Sequence, residues 1–308
     1  MKLVFFGTGA FAVPSLEAVV AAGHEVLRVF TQPDRPQGRG RALAPSPVKV
    51  TAQRLQLPLA QPDQLGSELT AGLSPEAGVA LDYGKIIPAS VLAWPVHGLL
   101  GVHPSRLPAY RGAAPVPWAI LRGDTETAVT VFRLAARMDA GDLLLQEPLP
   151  IGPDEDAASL LLRAAERGAQ LLVHGLELVR TGRATWTPQD EARATLAPKL
   201  TKEQGTIDWR EPAERLARLV RATIPWPGAS TTWQGTPLKI WAARPESVQP
   251  AGGPGTVVSA SGDGMLVATG HGLLRVLELQ PAGGKRMGIR EFLTGRKIQA
   301  GARLGSCE

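Results

Sequence analysis

Apolar residues in the first half of the chain fall into short runs separated by stretches of helical period. Lys2–Phe6 is such a run; Gly7-Thr8-Gly9 follows as a tight turn, and Leu16, Val19 and Val20 then share one helical face up to Gly23. The opening therefore reads as strand, turn and helix. Glu25–Thr31 predicts a second strand, and more are expected at Gly78–Leu81, Leu99–Val102 and Ala128–Leu134. This alternation predicts an α/β layer with a mostly parallel sheet. Asp156–Arg180 places Leu160, Leu161, Ala164, Leu171, Leu172, Leu176 and Val179 at helical spacing, as one long helix packed on that sheet.

The periodicity fades from Thr187 to Thr206, so residues 1–186 are expected to form the first domain and 187–206 a linker. After a short helix through Leu216, Leu219 and Val220, the pattern changes within residues 207–308. Short β-rich runs at Ala229–Trp233, Leu238–Ala242, Gly255–Ser259, Met265–Ala268 and Leu273–Leu279 are broken by Gly, Pro and Asp. Closely spaced strands with turn signals predict a small C-terminal β-barrel. One stretch of the first domain breaks its rhythm. Residues 32–47 hold too much Pro and Gly for strand or helix and predict a long exposed loop, with Arg35, Arg39 and Arg41 available to face phosphate.

Composition adds little to this picture, but charge does. The 308 residues are 44% hydrophobic and 20% charged, ordinary for a soluble globular protein. Cys307 is the single cysteine, which rules out an internal disulfide, and the apolar run after Lys2 is too short for a signal sequence or membrane span. A cytoplasmic protein is expected, and a monomer, since no amphipathic interface stands out. Residues 1–207 carry 20 basic against 20 acidic side chains, whereas residues 208–308 carry 13 against 8. The net charge of +5 thus belongs to the C-terminal third, where Arg275, Lys285, Arg286, Arg290, Arg296, Lys297 and Arg303 face only Glu278 and Glu291. A basic module beside a neutral one suits a polyanion; a solvated basic face is the alternative.

Two motifs bear on chemistry. Gly7-Thr8-Gly9-Ala10-Phe11-Ala12 fits the permissive dinucleotide pattern after a strand and before a helix. That reading also needs an acidic residue at the end of the second strand, roughly 20 positions on. The strand ends in Phe30-Thr31-Gln32, with Asp34 beyond it, so a tight turn explains the glycines without a nicotinamide. The second motif is His103, which closes the run Leu99–Val102 and so lies at the carboxyl edge of the sheet, where open α/β sheets bind ligands. Histidine moves protons near neutral pH, and a carboxylate can orient its ring. Asp142, at the end of Met138-Asp139-Ala140-Gly141-Asp142, is the expected partner, and the pair suggests acyl or proton transfer.

Longer stretches go further. Phe6-Gly7-Thr8 with Phe11, Thr31–Pro36 through Gly38-Arg39-Gly40 to Pro45–Lys49, Tyr83-Gly84 with Ile87-Pro88, and Arg111–Pro115 stand in the first domain. Lys199-Leu200, Ile207-Asp208-Trp209, Arg221-Ala222 with Pro225-Trp226-Pro227, and Leu279–Gly283 follow in the second. Over essentially its whole length, the chain resembles the methionyl-tRNA formyltransferase family, enzymes that formylate initiator methionyl-tRNA from 10-formyltetrahydrofolate during translation initiation. The resemblance implies a Rossmann-like formyltransferase domain followed by an OB-like barrel, and requires no metal. It makes His103 and Asp142 the catalytic pair, and Ser105, Arg106, Leu107 and Pro108, with Tyr83 and Gly84, the folate site. Arg35, Arg39 and Arg41 would meet the tRNA acceptor end, and barrel cations such as Lys285 and Arg286 its backbone.

Three departures from the family pattern cluster near this site. Gly101 stands where the family has an asparagine two residues before the histidine, Arg106 replaces a leucine, and Leu81-Asp82 replaces small or apolar residues. The asparagine would be an oxyanion donor, and losing one such donor typically costs about 10²- to 10³-fold in rate. A backbone N–H, an ordered water or Arg106 is expected to replace it, or the enzyme is slow. Two alternatives remain open: a formyltransferase or hydrolase acting on a small molecule, and a catalytically weak tRNA-binding relative.

Overall fold

The run after Lys2 forms β1 (Lys2–Gly7), in which Leu3, Val4, Phe5 and Phe6 are all buried, as a central strand covered on both faces requires. The computed structural model describes residues 1–37, 42–66, 72–249, 252–296 and 298–305. The chain divides into two units: residues 1–115, 126–150 and 161–198, and residues 116–125, 151–160 and 199–308. Among the described residues no helix is long and apolar enough to cross a membrane.

In the first unit, α1 (Val13–Ala21) leads to β2 (Glu25–Phe30). The Pro/Gly-rich stretch then departs from the expected open loop, because β3 (Arg35–Gln37) and β4 (Ala42–Ala44) pair as an antiparallel hairpin. Backbone pairing gives this segment an order its composition conceals. Ser46 caps α2 (Pro47–Arg54) by accepting from the Lys49 N–H at 3.0 Å, with Pro47 at the first helical position. The segments β5 (Leu59–Ala60), β6 (Ala77–Leu81), α3 (Ala89–Leu92) and β7 (Leu99–His103) follow. Next come α4 (Pro115–Arg122), all but its first residue in the second unit, then β8 (Glu126–Arg133), β9 (Leu143–Pro150) and α5 (Ala157–Arg180), whose first four residues also belong to the second unit.

The sheet runs β5-β2-β1-β6-β7-β8-β9. It is parallel from β5 to β7, and β8 lies antiparallel to both neighbours. The parallel part is as expected, but β9 has no counterpart in the sequence reading. Pro148 and Pro150 obscure it, and they are tolerated because β9 is an edge strand. On α5, Gly168 and Gly175 let the helix approach the sheet. A Cβ on Gly168 would lie 2.6 Å from Val102 and one on Gly175 3.0 Å from Leu144. Of the expected stripe, Leu160, Ala164, Leu172, Leu176 and Val179 are buried and Leu171 is half-buried, whereas Leu161 is exposed.

The second unit contains α6 (Ala213–Ala222) and the strands β10 (Ala229–Trp233), β11 (Thr236–Glu246), β12 (Val257–Ser261), β13 (Gly264–Ala268), β14 (Leu273–Pro281) and β15 (Met287–Gly288), then α7 (Ile289–Gly295). These strands form one antiparallel sheet, β10-β11-β14-β13-β12 with β15 on β14. Arg303 bridges Thr256 at one edge and Leu304 bridges Trp233 at the other, so the C-terminal segment joins the two edge strands. That closure removes the open edges of the sheet. Its core includes Leu216, Val220, Ile240, Val267, Val276 and Phe292.

Candidate active site

Carboxyl-end residues of β1, β2, β6 and β7 form the edge at which His103 lies. The His103 ring is buried, 6% exposed, with Nε2 at 2.8 Å from the Tyr110 carbonyl and Nδ1 at 3.8 Å from Asp139 Oδ2. A carbonyl only accepts, so Nε2 carries the proton and Nδ1 is the nitrogen free to take one up. The facing carboxylate is therefore Asp139, not Asp142 as the sequence suggested. Asp142 instead lies at the start of β9, where its backbone carbonyl accepts from the Arg133 N–H at 2.9 Å. The local cause is the backbone of Asp139, whose φ of 53° turns its side chain back toward the Gly112 N–H, which donates to Oδ2 at 2.9 Å.

The turn expected to hold folate is largely internal. Ser105 is fully buried and donates to the Ala109 carbonyl at 2.6 Å, while Gln146 donates to the Leu107 carbonyl at 3.0 Å. Of the four residues, Arg106 is exposed and pairs with Glu126 at the start of β8; Pro108 is half-buried. Arg106 is thus committed to a carboxylate four positions along β8 from Thr130, the partner of His103 in the sheet. Tyr83 is also turned inward: its ring packs edge-on against Phe6 at 5.7 Å, in a core cluster with Phe30 and Leu99. Only its backbone faces the cleft, where its carbonyl accepts from Thr8 Oγ1 and Gln32 Nε2.

That cleft, about 230 Å³, is lined by Thr8, Gln32, Arg35, Asp82 and Gly84 among others. It accounts for the glycine-rich turn. The N–H groups of Thr8 and Gly9 both donate to the Asp82 carbonyl, at 3.1 and 3.3 Å, and a Cβ on Gly9 would meet Asp82 Oδ2 at 1.7 Å. The donors a dinucleotide phosphate would use are spent on Asp82, and Gly9 makes room for its carboxylate. Loss of surrounding water in the cleft raises the Asp82 carboxyl above its ordinary pKa. Asp34 is occupied elsewhere, by Lys49 at 2.7 Å and Gln61 at 2.8 Å.

Gly101 sits opposite Phe132 in the β7–β8 pairing. A Cβ there would lie 2.8 Å from the Phe132 ring and 2.7 Å from Leu134 Cδ1, so these side chains cover the place where an asparagine would begin. The Phe132 ring also stands edge-on to His103 at 6.5 Å. Arg35 is exposed on the cleft rim; Arg39 and Arg41 lie outside the described residues. In the second unit, Lys285 pairs with Glu291 at 3.0 Å and Arg286 with Glu278 at 2.6 Å. Arg286 and Lys239 also flank Trp241, at 5.5 and 5.7 Å from its ring centre. Among the described residues no group of three or more His, Cys, Asp or Glu is placed to hold a metal ion.

Residues 1–176 match the formyl transferase family model and residues 199–297 the model of the formyl transferase C-terminal domain. The chain belongs to the formyl transferase family. It is 46% identical to the methionyl-tRNA formyltransferase of Solibacter usitatus (strain Ellin6076) over 309 residues, 99% of each chain. Identity to the methionyl-tRNA formyltransferase of Moorella thermoacetica (strain ATCC 39073 / JCM 9320) is 45%, again over 99% of each. Among solved structures, HypX from Aquifex aeolicus in complex with tetrahydrofolic acid superimposes with a TM-score of 0.66 at 21% identity. That match covers 95% of this chain and 47% of the other, so the chain spans about half of HypX.

Within this family member, sequence reasoning missed one group near His103. Arg111, 5% exposed, is held by Gln189 and Glu191, from a stretch read as linker. Residues 187–198 return to the first unit, where Thr187 bridges Leu143 and Leu196 bridges Arg111. Hydrogen bonding by Arg111 first, and then by Arg137, lowers the Glu191 carboxyl from its ordinary 4.5 to about 2. A depressed carboxyl stabilises the fold above its unfolded value and loses that contribution as the pH falls toward about 2. The clamp is therefore intact at neutral pH.

Proposed function

We propose that this protein, acting as a monomer in the cytoplasm, transfers the formyl group of 10-formyltetrahydrofolate to the α-amino group of initiator methionyl-tRNA. Near-complete coverage by methionyl-tRNA formyltransferases supports the substrates, and the buried His103 with Nδ1 turned to Asp139 carries the chemistry. The amine lone pair attacks the formyl carbon, and the carbonyl electron pair moves onto oxygen. Collapse then breaks the carbon–N10 bond. The attacking nitrogen must lose one proton and N10 must gain one, and His103 Nδ1 is suited to relay it. Asp139 favours the transient imidazolium. Arg35 at the cleft rim, with Lys239 and Arg286 beside Trp241, suits a nucleic acid carrying the amine.

Acceptor choice tests this function against the small-molecule alternative. Charged initiator tRNA is expected to be formylated with kcat/KM far above that of methioninamide or an amino sugar, and the advantage should shrink as salt rises. Equal use of a small amine, insensitive to salt, would favour the alternative.

The oxyanion question now has a structural form. Because Phe132 and Leu134 fill the space beside Gly101, Gly101→Asn should overpack the site, costing about 1–3 kcal/mol in urea unfolding with no rise in kcat. A gain of about 10²-fold at unchanged stability would mean that the donor position stands open.

A further inference from the structure

Gln189 uses every hydrogen-bonding capacity of its side-chain amide. Its Oε1 accepts from Arg111 Nε at 3.0 Å and from Nη2 at 2.7 Å. Its Nε2 donates to the backbone carbonyls of Asp139 at 2.8 Å and Gly141 at 2.7 Å. Those carbonyls belong to the turn that presents the Asp139 carboxylate to His103. The turn needs holding: Asp139 has a φ of 53°, a region that costs a non-glycine residue free energy unless its surroundings enforce it. Arg111, which anchors the amide, is itself fixed by Glu191 through Nη1 at 3.1 Å and Nη2 at 2.9 Å. The next residue, Gly112, donates its N–H to the Asp139 carboxylate at 2.9 Å. One buried guanidinium thus steadies the carboxylate from the Gly112 side and the turn from the Gln189 side.

We propose that Gln189 is a positioning residue for formyl transfer, holding the Asp139 turn so that its carboxylate faces His103 Nδ1. The inference rests on the catalytic reading of His103 and Asp139. Gln189 touches no reacting group, so its effect reaches the reaction only through Asp139. A misplacement of about 1 Å in a catalytic group is enough to cost on the order of 10²-fold in rate.

The discriminating variant is Gln189→Glu. Its carboxylate still accepts from Arg111 but has no hydrogen to donate, so it sets an oxygen against the two carbonyls. Gln189→Met is the second variant; it removes the same donors without adding charge and leaves Arg111 to Glu191. Steady-state formylation of charged initiator tRNA by the full-length protein is expected to show kcat reduced by about 10- to 10²-fold, with KM for both substrates within about twofold. In an Asp139→Asn background, neither variant should lower kcat by more than about twofold, because the group it positions is already impaired. Equal losses with and without Asp139, or unchanged kcat in both variants, would overturn the positioning role. If Asp139→Asn alone leaves kcat unchanged, the catalytic reading fails and the inference falls with it. A loss in Asp139→Asn with none in the Gln189 variants would sink only the inference.

Discussion

His103→Ala is expected to lower kcat for formyl transfer by about 10²- to 10⁴-fold, the usual contribution of a positioned acid–base group. His103 closes β7 with its ring buried, and its Nε2 bonds to the Tyr110 carbonyl, outside residues 105–108 of the expected folate turn. Substrate binding should therefore survive, with KM for tRNA and for folate changing little. Losing the bond from the His103 ring to the Tyr110 carbonyl should cost about 0.5–1.5 kcal/mol of stability, so thermal unfolding must accompany the kinetics. A variant as fast as the native protein would remove His103 from the chemistry altogether.

The second large effect concerns the carboxylate. Asp139→Asn keeps an oxygen to accept from the Gly112 N–H but removes the charge 3.8 Å from His103 Nδ1. Two unit charges at about 4 Å interact by about 1 kcal/mol in water and about 4 kcal/mol at an effective dielectric constant of 20. Loss of that support for the imidazolium should slow kcat by about 10- to 10³-fold. Asp142→Asn should leave kcat within about twofold of native, because that residue enters the structure through its backbone carbonyl on Arg133. Parallel single-turnover assays of the two variants check the assignment, and the reverse pattern would restore Asp142.

Why the sequence misdirected this choice is physical. Asp139 and Asp142 lie three residues apart, and it is Asp139, at a positive φ, whose carboxylate meets the Gly112 N–H and faces His103. Spacing does not encode that angle. Continuous apolar runs, by contrast, made β1, β2, β6 and β7 legible, because a strand covered on both faces is apolar throughout. Helical period made α5 legible, because one face of it is buried. The barrel strands were legible through their turn residues. The β3–β4 hairpin was hidden because it is held by backbone pairing rather than a buried face, and β9 because its prolines suggest no strand at all. Gln189 left no pattern, since a hydrogen-bonding amide in an aperiodic stretch resembles any other polar residue. At Gly101 the missing asparagine was visible, whereas its occupied space was not, since Phe132 comes from β8 and Leu134 from just beyond its end. Asp82 likewise was an odd residue in sequence and became, in the structure, the acceptor for the glycine-rich turn.

The central claim is best tested by following the formyl group itself. Native protein in excess over initiator methionyl-tRNA, mixed with labelled 10-formyltetrahydrofolate, should give one N-formylmethionyl-tRNA for each donor consumed and little free formate. Label appearing as formate, or donor consumed without formylated tRNA, would contradict it.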